Sequence, residues 1–310
     1  MSVGTTLKPP VALILFNRPH TTRQVFAAIR KVRPSRLFLI ADGPRPDHPT
    51  DSAECHEARV AVERVDWDCE VLTNYAAANL GIKRRVGSGL DWVFQQVEEA
   101  IILEDDCLPH ESFFQYCEEL LARFRDDARI LTISGNCYDP EKRFAAASYS
   151  FSRYPLIWGW ATWHRAWAQY DPAMERWPEL LEEHWLEQQL QDPNAARYWS
   201  YIFQMNYEKC ASGDWDYAWV LSSWRHDGLS IVPSANLVSN IGFGAGASHT
   251  HDAQSQFSNL PLEAMRFPMT HPGEVTRNLE LDDWIEKRLF SGNLSRLFAF
   301  LRNRLSRPVS

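Results

Sequence analysis

The sequence predicts an α/β protein built on a mainly parallel, doubly wound, Rossmann-like sheet flanked by helices, followed by a helical, Trp-rich C-terminal half. Three observations point there. Short apolar runs alternate with segments of helical periodicity between Val11 and Gly135. Most of the runs end in polar residues or turn signals. One of them, Ala100-Ile101-Ile102-Leu103, stops at three consecutive carboxylates, Glu104-Asp105-Asp106. Alternation of this kind indicates βαβ units, whose right-handed crossovers bring the strand ends to one side, where such sheets bind ligands.

Taken in order, Val11-Ala12-Leu13-Ile14-Leu15-Phe16 is a buried strand that ends at Asn17-Arg18-Pro19, and a helix follows through Val25, Ile29 and Val32. Leu37-Phe38-Leu39-Ile40-Ala41 is a second strand, closed by the turn signal Asp42-Gly43-Pro44. Thr50 or Asp51 caps a helix reaching Val65, and Cys69-Glu70-Val71-Leu72 is a third, weaker strand. After Asn79-Leu80-Gly81, apolar residues at Val86, Leu90, Val93, Phe94 and Val97 mark a helix from Ile82 to Glu99 that delivers the chain to the acidic strand. Pro109 opens a further helix to about Arg125, and Ile130 to Ser134 returns as a strand into Gly135-Asn136.

From there the alternation breaks down. Ser148 to Ile157 reads as one or two short strands, and Trp158-Gly159-Trp160-Ala161-Thr162-Trp163 as the start of an aromatic helix or loop. Trp177 to Trp224 is helical in character, with breaks near Asp192-Pro193 and Ser212-Gly213. Leu229 to Val232 is extended, and Asn236 to Gly246, rich in Asn and Gly, is a loop.

The expected organisation is a single domain over 1–280, with a ligand-binding half at 11–135 and a second half at 136–280, followed by a basic amphipathic tail at 281–310. In that tail Leu294, Leu297, Phe298, Leu301 and Leu305 recur at helical spacing among Arg296, Arg302 and Arg304. Such a helix either lies on an anionic membrane surface, a peripheral contact, or packs on its own domain. A net charge of −8 argues against nucleic acid as a partner, because phosphate backbones need a basic surface. Met1 to Pro10 lacks the pattern of a signal peptide, and no stretch is apolar for long enough to span a bilayer, so a cytoplasmic protein is expected. The six cysteines show no CxxC or zinc-ligand spacing and are expected to be reduced. Thirteen tryptophans, concentrated between Trp158 and Trp224, serve either as core or as stacking faces for sugar rings or bases.

The polar strand ends Asn17, Arg18, Asp42 and Asn79 and the acidic triplet are expected to line one crevice. Each also has a plainer reading: Asp42 as a turn residue, Arg18 as a surface cation, the triplet as an acidic turn before a helix. Three adjacent carboxylates repel, however, and call for a cation or hydrogen-bond donors. Gly213-Asp214-Trp215-Asp216 adds two more acids. Residues two apart on a helix do not share a face, so at most one of Asp214 and Asp216 is expected to point into the cleft.

The order Phe16-Asn17-Arg18-Pro19, Asp42-Gly43, Asn79-Leu80-Gly81, Glu104-Asp105-Asp106, and downstream Ser134-Gly135-Asn136, Trp158-Gly159-Trp160 and Trp215-Asp216, resembles a nucleotide-sugar glycosyltransferase of the GT-A fold, of the N-acetylglucosaminyltransferase I type. The resemblance covers roughly Val11 to Gly246. It implies an inverting transfer of sugar from a nucleotide-diphosphate donor, UDP-GlcNAc as the leading guess, to a hydroxyl of a glycan or glycolipid acceptor.

By the same resemblance Asp106, the last acid of a DXD-like triplet, touches a Mn²⁺ or Mg²⁺ ion, Glu104 and Asp105 orient the donor's ribose and sugar, and Arg18 and Asp42 hold the base. Asn17 and Asn79 lie on the donor side, and Lys83 or Arg84 faces phosphate. Asn136, Trp158, Trp160 and Trp215 lie on the acceptor side, and Asp216 is the base, with Asp214 as the helix N-cap. His249, in His249-Thr250-His251-Asp252, is a candidate further metal ligand or an ordinary loop residue. The named type carries a membrane anchor that this chain lacks, which suggests a bacterial relative that decorates surface polysaccharides. Two rival readings are a sugar-1-phosphate nucleotidyltransferase, which would normally show a Gly-rich phosphate loop where Asn17-Arg18-Pro19-His20 stands, and a noncatalytic carbohydrate-binding protein.

Overall fold

The computed structural model describes residues 7–139, 141–243 and 257–290. The first part follows the alternating pattern: β1 (Val11–Leu15), α1 (Pro19–Val32), β2 (Arg36–Ala41), α2 (Asp51–Glu63), β3 (Glu70–Tyr75), α3 (Ile82–Phe94) and β4 (Glu99–Glu104). A short strand β5 (Cys107–Pro109) precedes α4 (Glu111–Arg123), and β6 (Ile130–Ser134), β7 (Tyr149–Ser152) and β8 (Trp160–Trp163) follow. The remainder comprises α5 (His164–Trp167), α6 (Trp177–Glu182), α7 (Trp185–Gln189), α8 (Pro193–Lys209), α9 (Trp215–Arg225), β9 (Leu229–Pro233), β10 (Val238–Asn240) and α10 (Leu279–Ile285), which continues as a wider turn to Phe290.

Eight strands form one mixed sheet in the order β3-β2-β1-β4-β8-β6-β9-β7. The first four are mutually parallel, in the register Val11↔Leu37 and Val11↔Ile101. All five residues of β1 are buried, as expected of a strand covered on both faces. Alternate residues serve opposite sides. Val11, Leu13 and Leu15 pack with Val25, Phe26 and Ile29 of α1 and with α4, whereas Ala12 and Ile14 pack with Val86, Leu90 and Val93 of α3 and with Trp215 and Trp219 of α9. The result is an α/β sandwich with its parallel strand ends on one edge.

Several local expectations are corrected. Trp160–Trp163 is neither helix nor loop but a central antiparallel strand, wedged between β4 and β6 with all four residues buried. Two aromatic residues and one β-branched residue in four suit a strand buried on both faces. Pro109 belongs to β5, opposite Val238, and α4 begins after His110, whose Nδ1 accepts the Ser112 N–H at 3.1 Å. A two-stranded edge tolerates a residue without an N–H. The Asn236 to Gly246 loop likewise contains the strand β10.

A second core gathers Tyr154, Trp177, Trp199, Phe203 and Trp224 with Leu281 and Ile285 of α10. Within it Glu286 accepts hydrogen bonds from Tyr154 Oη at 2.6 Å and Trp199 Nε1 at 2.8 Å. The segment from Leu279 to Phe290 is therefore part of the packed domain, and a tail beginning at 281 does not describe it. The amphipathic run from Leu294 onward lies outside the described residues. All six cysteines are free. No helix among the described residues is long and apolar enough to cross a membrane.

Candidate active site

A cavity of about 530 Å³ opens at the C-terminal ends of β1, β2 and β4, within the range of small-molecule sites. The sheet side contributes Phe16, Arg18, Asp42, Arg45, Asn79 and the whole triplet Glu104, Asp105 and Asp106. The helix side contributes Arg85 of α3, Trp158, and Asp214, Trp215, Asp216 and Tyr217 at the start of α9.

Two of the acids at the end of β4 are individually anchored. Asp105 accepts the Phe16 N–H at 2.9 Å, tying the end of β4 to the end of β1. Asp106 Oδ2 receives Arg18 Nη1 at 2.5 Å, and its Oδ1 takes the weak thiol donor of Cys107 at 3.5 Å. Burial and the neighbouring charge of Asp106 push the Asp105 carboxyl up to about 7. Burial, then the charges of Asp106, Asp105 and Asp216, raises Glu104 well above the carboxylate range.

Across the cavity Asp216 sits in the first turn of α9, with Oδ1 accepting the Tyr217 N–H at 3.0 Å. Burial, followed by the charge of Asp214, pushes its carboxyl up to about 7. Asp214 holds the N-cap position, with extended backbone (φ −93°, ψ 137°). Both aspartates border the cavity, contrary to the expectation of one. The two-apart rule presupposes that both residues are helical, and an N-cap residue is not.

Other candidates separate into those the fold brings to the cavity and those it does not. Arg18, Asp42, Asn79, Trp158 and Trp215 line it. The Asp42 carboxylate is already filled, however. Oδ1 accepts the N–H groups of Gly43 and Leu80, and Oδ2 those of Gly81 and the Asn79 amide, so it clamps the end of β2 to the start of α3 and has no acceptor capacity left for a base. Gly81 follows with φ 79°, a conformation that favours glycine. Asn17 does not line the cavity and donates to Asp51 Oδ1 at 3.0 Å and Glu54 Oε2 at 3.3 Å on α2. Trp160 lies beneath the site, stacked on Trp215 at 5.7 Å, and is a support rather than a lining residue. Asn136 is 1% exposed and does not line the cavity. His249 falls outside the described residues.

The cation of α3 that reaches the cavity is Arg85, not Arg84, which is exposed, nor Lys83, which is buried off the cavity lining. Arg85 Nη2 donates to Asn74 O at 3.2 Å and its buried Nε has no partner in the protein. The helical stripe Ile82, Val86, Leu90 and Val93 carried this signal, since position 85 shares its face and 84 does not. Arg45 was also missed. It is held by Asp51 through Nε at 2.6 Å and Nη2 at 2.9 Å, and this pairing keeps the Asp51 carboxyl down near about 2.

The donor set suits a hard divalent cation. Glu104, Asp105, Asp106 and Asp216 supply only oxygen, and Arg18 is the one Lys or Arg in an ion pair with any of them among the described residues. Those residues contain no cluster of three His, Cys, Asp or Glu placed to cage a metal. Mg²⁺ in particular is usually held by one or two carboxylates and completed by water and phosphate oxygens, a mode these residues fit.

Fold and crevice together define an α/β protein with a ligand-sized acidic site at the ends of its parallel strands. No family model matches the chain, and no curated protein matches it. Among solved structures it is similar to a UDP-glucose pyrophosphorylase complexed with UDP-glucose, at 10% identity and a TM-score of 0.25. That match covers 49% of this chain and spans 64% of the pyrophosphorylase. It is also similar to the apo form of mouse xyloside xylosyltransferase 1, at 11% identity and a TM-score of 0.35, over 73% of this chain and 84% of that one. At these values neither likeness assigns a function.

Proposed function

We propose that the protein is a metal-dependent, inverting glycosyltransferase that moves a sugar from a nucleotide-diphosphate donor to a hydroxyl of a glycan or glycolipid. The observation that carries this reading is the pairing of two acidic walls on one cavity: a strand-end triplet suited to a cation, and a separate carboxyl, Asp216, poised near neutrality. A bound Mn²⁺ or Mg²⁺ on Asp106 supplies Lewis-acid stabilisation of the departing diphosphate. The protein's own groups do the rest. Arg18 and Arg85 present guanidinium groups to donor oxygens, Glu104 and Asp105 accept from sugar hydroxyls, and Trp158 and Trp215 offer flat apolar faces.

Asp216 takes the proton of the acceptor hydroxyl as that oxygen attacks the anomeric carbon. A base with a pKa close to the working pH combines availability with driving force. Attack from the face opposite the diphosphate inverts the anomeric centre. UDP-GlcNAc is the first donor to test.

The experiment is a screen of nucleotide sugars for Mn²⁺-dependent turnover, with product stereochemistry read by NMR and Asp216→Asn as the paired variant. Inversion by the native enzyme and a loss on the order of 10²- to 10⁴-fold in the variant, with donor binding intact, are expected. Retention, or full activity in Asp216→Asn, overturns the assignment.

A further inference from the structure

Arg18 and Asp106 form a tight ion pair in the crevice, Nη1 to Oδ2 at 2.5 Å, with side chains 19% and 12% exposed. The backbone at Gly242 is pressed onto both groups. A methyl group there would run into Asp106 Oδ2 and lie 2.6 Å from Arg18 Nη1. The Ile241 N–H donates to the Asp106 carbonyl at 2.8 Å, which keeps this segment seated. Arg18 thus occupies Oδ2 of the carboxylate assigned above to the cation, while Oδ1 faces the Cys107 thiol. Its backbone is fixed independently of its side chain, because the Arg18 carbonyl accepts from Thr22 N at 3.0 Å and from the hydroxyls of Thr22 and Thr21 at 2.7 and 3.2 Å. The guanidinium can therefore change partners while α1 stays in place.

We propose that Arg18 and the divalent cation exchange on Asp106, and that the displaced guanidinium is received by the diphosphate of the donor. This rests on the nucleotide-sugar reading above and adds to it a rule of binding. A cation arriving alone must break a charge-assisted hydrogen bond and leave a half-enclosed guanidinium without a counter-charge. A cation arriving with a diphosphate does not, because phosphate oxygens match the planar fork of Arg. Cation and nucleotide then bind as a coupled pair, each tightening the other by the same factor. Arg18 acts in this scheme as a positioning residue that links the two ligands.

A cation in the crevice also weakens metal binding through its field alone, so affinity for metal does not by itself separate exchange from simple repulsion. Coupling does. Removing a charge that acts only through its field changes each affinity but leaves the metal–nucleotide factor nearly unaltered, whereas removing the exchanging group shrinks it.

The test is calorimetry on the full chain with Mn²⁺ alone, UDP alone, and each in the presence of the other, for the native protein, Arg18→Gln, Arg18→Lys and the control Arg45→Gln. Mn²⁺ alone is expected to bind Arg18→Gln about tenfold more tightly than the native protein, and the factor by which UDP tightens Mn²⁺ is expected to fall about as much. Arg18→Lys, which keeps the charge but loses the fork, falls between the two, and Arg45→Gln retains the native factor. An unchanged factor in Arg18→Gln, with UDP and Mn²⁺ still coupled, overturns the exchange and leaves the nucleotide-sugar reading standing. Failure of Mn²⁺ and UDP to bind either protein, alone or together, removes both.

Discussion

The two walls of the crevice carry the same functional group in opposite settings. On the sheet wall Asp106 is paired with a cation and Asp105 is tied to the backbone of β1. On the helix wall Asp216 has burial and Asp214 against its ionisation, and its carboxylate accepts the adjacent backbone N–H of Tyr217. Desolvation pushes Asp105 and Asp216 alike up to about 7, so what separates the walls is the partner: the sheet wall holds a cation on Asp106, and the helix wall sets Asp216 across the cavity from it with no Lys or Arg ion pair among the described residues. One crevice thus obtains two chemistries from one residue type, and each wall can be broken separately.

The largest effect on metal-dependent binding is expected on the sheet wall. Asp106→Asn keeps the shape but removes the charge that holds Arg18 and the proposed cation. Metal-dependent turnover should fall by several kcal/mol in transition-state terms, on the order of 10²-fold or more. Mn²⁺ titration in the presence of UDP should show the cation site weakened in parallel. Native-like Mn²⁺ affinity would mean that the cation sits elsewhere and that the two walls have been assigned wrongly.

The helix wall responds through stability as well as rate. An unfolded Asp ionises near 3.8 and folded Asp216 at about 7, so between these values the unfolded chain holds fewer protons and the folded state loses ground. The favourable contribution of the neutral carboxyl is present below about pH 4 and is lost as the pH rises to about 7. Asp216→Asn escapes that penalty. It should match the native protein in urea denaturation at pH 4 and exceed it by roughly 2 to 4 kcal/mol at pH 8, while being inactive. In the native enzyme the rate should rise with pH through about 7 as the base ionises. Equal stability at both pH values would show that Asp216 is not held neutral by its surroundings.

The same contrast explains what could be read from the chain. The sheet wall was legible because its parts are local. A fully apolar strand such as Val11–Leu15 or Ala100–Leu103 announces itself, and the polar residues that end it are fixed at the crevice by the parallel topology. The pairing of β8 was hidden, because Trp160–Trp163 becomes a strand only through partners at Glu99–Ile102 and Ile133–Ser134. Asp42 shows a different limit. It lines the cavity, but the four donors that saturate it come from Gly43 and from residues 79–81, and no spacing rule reveals that a carboxylate is already occupied. Asn17 shows the same limit, since its amide already donates to Asp51 and Glu54 of α2.

The smallest effect separates two neighbouring arginines on α3 and sharpens the assignment of the donor's anionic end. Arg84 is exposed, on the outer face with Ser88 and Asp91, whereas Arg85 is 4% exposed and lines the cavity with an Nε that meets no protein acceptor. Burial lowers the pKa of Arg85, yet a guanidinium stays charged at any working pH, and such a group gains from a ligand oxygen what the protein does not provide. Arg85→Met should therefore weaken UDP binding by about tenfold, equivalent to one charge-assisted hydrogen bond of roughly 1.5 kcal/mol, and Arg84→Ala should change it by less than about 0.5 kcal/mol. Because Arg85 also donates to Asn74 O, the thermal midpoint of Arg85→Met has to be measured beside its affinity. A variant that loses stability but binds UDP normally would make Arg85 a clip between α3 and β3 and leave Arg18 as the donor-facing arginine of the site.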